Sequence, residues 1–195
     1  AQETVTVGVV NSGTASTSIT SEEGSILATT DASNVMGDHL RLNAVASDSS
    51  IGQTDAMLKT DVNRVSAVAG TGGIYLSEND AITVSNTEVI SANRVQTDGT
   101  TVTSLVDAMQ SDLTTTGDVV LLAGGDITLN HGRDFDAQSI DAQGHVLVDA
   151  NGAGSDVFIN SLVSADQHNL TISADQDIQV ESNILMDAGT DLVLD

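Results

Sequence analysis

Apolar and polar residues alternate along this chain in a short unit that keeps returning: apolar–x–apolar–x–Ala, a polar turn, then Asp–apolar–x–apolar. One copy is Val119, Leu121, Ala123, turn, Asp126, Ile127, Leu129; the next is Val146, Val148, Ala150, turn, Asp156, Val157, Ile159. A third is Leu170, Ile172, Ala174, turn, Asp177, Ile178, Val180, and a fourth is Ile184, Met186, Ala188, turn, Asp191, Leu192, Leu194. An earlier, looser copy runs Ile74, Leu76, turn, Asp80, Ile82, Val84, with Glu78 where the others have Ala. Strict alternation predicts strands with one buried face. Repetition on a period of tens of residues predicts a solenoid, whose units bury their apolar faces only against one another.

Coil starts fall at Ile26, Ile51, Ile74, near Val95 to Val102, Val119, Val146, Leu170 and Leu192, a spacing of about 24 residues. A third strand in each coil is marked by Val89-Ile90, Ile140, Leu162-Val163 and Ile184. Three short strands in about 24 residues is the layout of an all-β, single-stranded parallel β-helix. Some eight coils at about 4.8 Å each predict a rod on the order of 40 Å long. Gly-containing turns such as Gly124-Gly125 and Gly152 to Gly154 punctuate the strands, and the chain has no Pro, which could not donate to a ladder.

Residues 1–195 read as a single β-helix domain. The N-terminal stretch 1–25 is irregular, though Leu40, Leu42 and Ala44 mark a good strand soon after. Leu105, Val106, Met109 and Leu113 have helical spacing, which predicts a short helix or a protruding insertion within 103–116. The sequence stops at Leu192-Val193-Leu194-Asp195, inside a strand unit, whereas solenoids carry polar caps. The expectation is a segment of a longer repetitive protein.

Composition narrows the function. Of 195 residues 39% are hydrophobic, yet there is no Cys, no Pro and no Trp, with one Tyr and two Phe. Small aliphatic side chains must therefore fill the interior, which suits a narrow stack. The net charge of −23 comes from 28 acidic and five basic residues (Lys59, Arg41, Arg64, Arg94, Arg133). That excludes nucleic acid and an anionic membrane surface as partners, since both require clustered cations. No apolar run approaches the ~20 residues of a membrane-spanning helix. The same charge keeps a long β-structure soluble and attracts divalent cations.

Asp134 with Asp136, and Asp175 with Asp177, are the candidate Ca²⁺ ligands, because closely spaced carboxylates supply the hard oxygens this ion prefers. Against them stands the commoner use of Asp and Asn in capping turns, which the absence of an EF-hand or Gly-Gly-x-Gly-x-Asp pattern favours. No other cofactor is expected. His39, His131, His145 and His168 share no ligand spacing; His145 and His168 precede strands at matching places in successive coils, which predicts that they stack. A polysaccharide-active β-helix would need a defined carboxylate pair, or a base with cations, and aromatic sugar platforms. Tyr75, Phe135 and Phe158 are the only aromatics, so the expectation is that the chain is not an enzyme.

Two stretches carry a family resemblance. Gly72-Gly73-Ile74-Tyr75-Leu76-Ser77-Glu78-Asn79-Asp80-Ala81-Ile82-Thr83-Val84 is similar to segments of very large repetitive bacterial surface proteins. Gly117-Asp118-Val119-Val120-Leu121-Leu122-Ala123-Gly124-Gly125-Asp126-Ile127-Thr128-Leu129-Asn130 resembles the haemagglutinin-type repeats of filamentous haemagglutinin-like adhesins. The likeness is one of repeat style and covers roughly residues 70–195. It implies a right-handed parallel β-helix that is secreted or displayed on a cell surface and serves as an adhesive stalk or extracellular fibre. Implied partners are other copies or neighbouring repeats, met end to end or laterally, and a host-cell, matrix or glycan receptor. The Asn-Pro secretion motif of such adhesins has no counterpart here. A calcium-dependent binding module is the alternative.

Overall fold

The computed structural model describes residues 3–29 and 33–195; Ala1 and Gln2, at the head of the 1–25 stretch, lie outside it. The described residues contain no helix and wind into a β-solenoid. The first coil holds β1 (Val5–Val7), β2 (Val10–Asn11) and β3 (Thr17–Ser21), and the second β4 (Ile26–Ala28) and β5 (Val35–Ala44). The third holds β6 (Ser50–Ile51) and β7 (Leu58–Ala69). The fourth holds β8 (Gly73–Glu78) and β9 (Ile82–Val84), then β10 (Ile90–Val95) and β11 (Thr101–Asp107), and closes with β12 (Leu113–Thr115). The fifth is β13 (Val119–Ala123), β14 (Ile127–Leu129) and β15 (Gln138–Ala142); the sixth is β16 (Val146–Ala150), β17 (Val157–Ile159) and β18 (Leu162–Ala165). The seventh is β19 (Leu170–Ala174), β20 (Ile178–Val180) and β21 (Met186–Ala188), after which β22 (Leu192–Leu194) opens another.

Strands of successive coils pair in parallel, one directly above the next. On the first face the ladder runs Val5, Ile26, Ile51, Ile74, Val119, Val146, Leu170, Leu192 without a break. On the second face Ile82, Ile127, Val157 and Ile178 stack. On the third, Ile19, Leu42, Ala67, Leu113, Ile140, Val163 and Met186 do. Alternation within each strand explains the column: away from its two ends the inward members of these ladders are buried and form one aliphatic core, while their neighbours face out. Seven turns at about 4.8 Å give a column about 34 Å long.

Three expectations need correction. No coil begins at Val95 to Val102. The step from Ile74 to Val119 takes 45 residues, because β10 and β11 leave the column as an antiparallel hairpin. Val89-Ile90 therefore leads into that hairpin, and β12 supplies the coil's third strand. The helical spacing of residues 105–113 gives no helix. The Thr and Val residues of β11 favour strand over helix, and Leu113 is buried as a rung of the third face. Finally, the unit Ile184 to Leu194 is displaced by one face. Met186 stacks on Val163 and Leu192 on Leu170, so this unit turns the corner from third face to first.

The coils change style midway. β5 and β7 run uninterrupted from beside the end of the first face to the third, with Gly37-Asp38 in β5 and Asp61 and Asn63 in β7 held within the strand. The first-face strands β8, β13, β16 and β19 each end in a polar turn. The pairing records the change: Thr60 lies opposite Glu78 but Arg64 opposite Thr83, so the fourth coil has one extra residue. Glu78 fills that junction in the ladder continued by Ala123, Ala150 and Ala174. Its carboxylate accepts from the Thr60 hydroxyl (2.7 Å), the Val62 N–H (3.1 Å) and the Asn79 N–H (3.0 Å). Burial nonetheless pushes its pKa up to about 7 against those bonds, with a smaller push from Asp80.

Candidate functional site

Irregular structure gathers at one edge of the column, where the second face turns into the third. The turn takes only residues 160–161 between β17 and β18, but it takes 130–137 between β14 and β15, and 85–112 between β9 and β12. These two long excursions leave from successive coils and are tied together. His131 O accepts from the Ser85 hydroxyl, the Arg133 N–H donates to Ser111 Oγ (3.3 Å), and the Arg133 guanidinium pairs with Glu88 (3.3 Å). The hairpin stalk is anchored inward as well. Gln110 Nε2 donates to Leu42 O (2.8 Å), Thr87 Oγ1 bonds Ser66 Oγ (2.7 Å), and the largely buried Arg41 donates to Ala108 O (3.3 Å).

At this corner Asp112, Asp134 and Asp136 bring carboxylate oxygens within 4.8 Å of one another. Asp112 is 2% exposed and begins the third-face strand, its carbonyl accepting from Ala67 N–H (2.8 Å). Its Oδ1 accepts from Gly132 N–H (3.2 Å). Burial, then the charge and hydrogen bond of Asp134, then the charge of Asp136 push the Asp112 pKa up to about 8. These effects all favour the protonated form of Asp112, against the Gly132 N–H bond, which favours the charged one. Asp136 also caps the loop, accepting from Gln138 N–H (2.9 Å). Asp112, Phe135 and Ala137 all hold positive φ (64°, 69° and 64°), conformations costing about 1 kcal/mol or more each for non-Gly residues. The Phe135 ring between the two loop aspartates is 98% exposed.

Of the four candidate Ca²⁺ ligands, then, the structure brings together Asp134 and Asp136 and adds Asp112, 22 residues upstream of the first. Among the described residues Asp175 and Asp177 join no such cluster. Asp175 accepts from Gly154 N–H (2.7 Å), and the Asp177 N–H donates to Asp156 Oδ1 (3.0 Å). At the same corner Asp126 accepts from Asp156 N–H (2.9 Å), and before the first-face strand Asp118 accepts from His145 N–H (2.8 Å). Asp118, Asp126 and Asp156 thus each cap the turn of the next coil, whereas Asp175 caps the turn of the preceding one. The signal for Asp112 was its place just before the buried Leu113, legible only once the length of the excursion is known. A further group, Asp61, Glu78 and Asp80, also lies within 4.8 Å, but Glu78 is committed to its three donors. His145 and His168 do stack, edge to face, with ring centroids 4.9 Å apart.

Comparison of the chain with protein-family models, with curated proteins and with solved structures finds no match.

Proposed function

We propose that this chain is a structural and adhesive segment of a large secreted or cell-surface bacterial protein, a β-helical stalk that carries contact surfaces at one edge. The observation that carries the reading is the first-face ladder, unbroken from Val5 to Leu192, beside a single corner where both long excursions emerge. Continuous parallel ladders around an aliphatic core make a stiff column, and the acidic exterior keeps it soluble. The partners are a cell-surface, matrix or glycan receptor and other copies of the chain.

Surface display tests this. A non-adherent bacterium displaying the chain adheres to epithelial cells or immobilised matrix glycoproteins, and display of the Ile172→Asp variant abolishes adhesion. Adhesion no better than that of the empty display strain overturns the reading.

A calcium-dependent binding module is the second reading, favoured by the convergence of Asp112, Asp134 and Asp136. Three carboxylates supply the hard oxygen donors suited to Ca²⁺. Calorimetric titration separates the two: a melting rise of only about a degree at millimolar Ca²⁺ leaves this reading without support.

A further inference from the structure

We propose that the β10–β11 hairpin is a homotypic contact, in which two copies of the chain pair their β10 strands edge to edge and antiparallel across a two-fold axis, giving a four-stranded sheet. The inference deepens the stalk reading by naming the surface through which copies meet, and it rests on that reading for its purpose.

The hairpin is a sheet of two strands only, so both are edge strands. Two strands alone are marginally stable in water, and a third or fourth supplies what is missing. Its side chains do not make up the deficit against the column, because Val95 is 67% exposed and Val102 and Val106 are exposed too. The sequence is rich in Val, Ile, Thr and Ser, fit for further pairing.

Charge selects the occupant. Two molecules of net charge −23 repel, yet the hairpin, residues 90–107, contains one basic residue, Arg94, and two acidic residues, Asp98 and Asp107. This nearly neutral stretch is therefore where a second copy approaches at little electrostatic cost. β10 has no Lys and no Pro, two residues that usually blunt an edge, and Arg94 is the one charged residue among its six. The register selects the strand. Ala92 pairs with Leu105 and Asn93 with Thr103, which leaves Ser104 as an extra residue on β11. That bulge bends the β11 edge, while β10 stays regular from Ile90 to Val95. Pairing centred on Ala92, which the two-fold axis sets opposite its own copy, places Arg94 across from Ile90 of the second copy, with no like charges opposed.

Sedimentation velocity on the full chain, from micromolar to millimolar concentration at low and high NaCl, tests the contact. The expected result is a monomer–dimer equilibrium that strengthens with salt, because screening weakens the repulsion between acidic columns. Ala92→Glu and Val95→Glu should each weaken the dimer about tenfold or more, with circular dichroism and melting unchanged. Val9→Glu, at an exposed position on the column, leaves it intact. A monomer under all conditions overturns the proposal, as does a dimer that survives both hairpin variants or one that weakens with salt. A monomer that still mediates adhesion sinks this inference alone; a dimer that never adheres sinks the stalk reading alone.

Discussion

Replacing Glu78 by Gln should make the protein more stable at neutral pH and leave it nearly unchanged in mild acid. Glu78 is buried in the one ladder position where later coils have Ala, and its pKa rises from 4.5 to about 7 because burial disfavours the charged form. A raised carboxyl pKa means that the folded state binds more protons than the unfolded one between those values. This stabilisation is complete below 4.5 and is lost as pH rises through about 7. The difference corresponds to ~3 kcal/mol at 1.36 kcal/mol per unit. Gln keeps an acceptor for the Val62 and Asn79 N–H groups, and its amide can donate to the Thr60 hydroxyl, so the junction stays bonded without a charge. Urea unfolding of both proteins across this pH range isolates the effect, because the titration of every other group cancels in the difference. The advantage of Glu78→Gln should grow from about zero near pH 4.5 to ~3 kcal/mol near pH 8. A difference that stays flat across the range would refute the account of Glu78 as a carboxyl whose burial disfavours its charge.

Val148→Asp or Ile172→Asp places a charge at a fully buried rung, and either should cost several kcal/mol and abolish cooperative melting by circular dichroism, while Val193→Asp on the exposed last strand should melt as the parent does. Gly152→Ala should destabilise strongly in the same assay, because a Cβ there would fall onto the Gly124 carbonyl oxygen of the coil below. Asp112→Asn should abolish any Ca²⁺-induced rise in melting temperature, and it should also remove the proton uptake of Asp112 below about pH 8, read by potentiometric titration of folded protein against the parent.

Much of the fold was legible because its period is enforced twice, by alternation within a strand and by recurrence between coils. Val119, Val146 and Leu170 could be placed on one ladder from sequence because each opens the same unit, and Ile26, Ile51 and Ile74 followed at similar spacing. The failures occurred where that double constraint lapses. Residues 85–112 belong to a coil but not to the repeat, so their valines mimic a coil start and their Leu and Met mimic a helix face. The unit from Ile184 has the right pattern on the wrong faces, because alternation fixes which side of a strand is buried but not which face the strand occupies. The site was half legible. Asp134 and Asp136 are one residue apart in sequence, whereas Asp112 joins them only through the parallel ladder that sets Leu113 beneath Ile140.

The 45-residue step between Ile74 and Val119 has a mechanical consequence. A tether pulling the C-terminus away would peel the ladders off one winding at a time, since each winding is held chiefly by its neighbours. Most releases would add about 80 Å of contour, from about 24 residues at about 3.4 Å each. The winding with the excursion hides about 150 Å, so it would yield a jump nearly twice as long and act as a reserve of slack inside an otherwise inextensible strut.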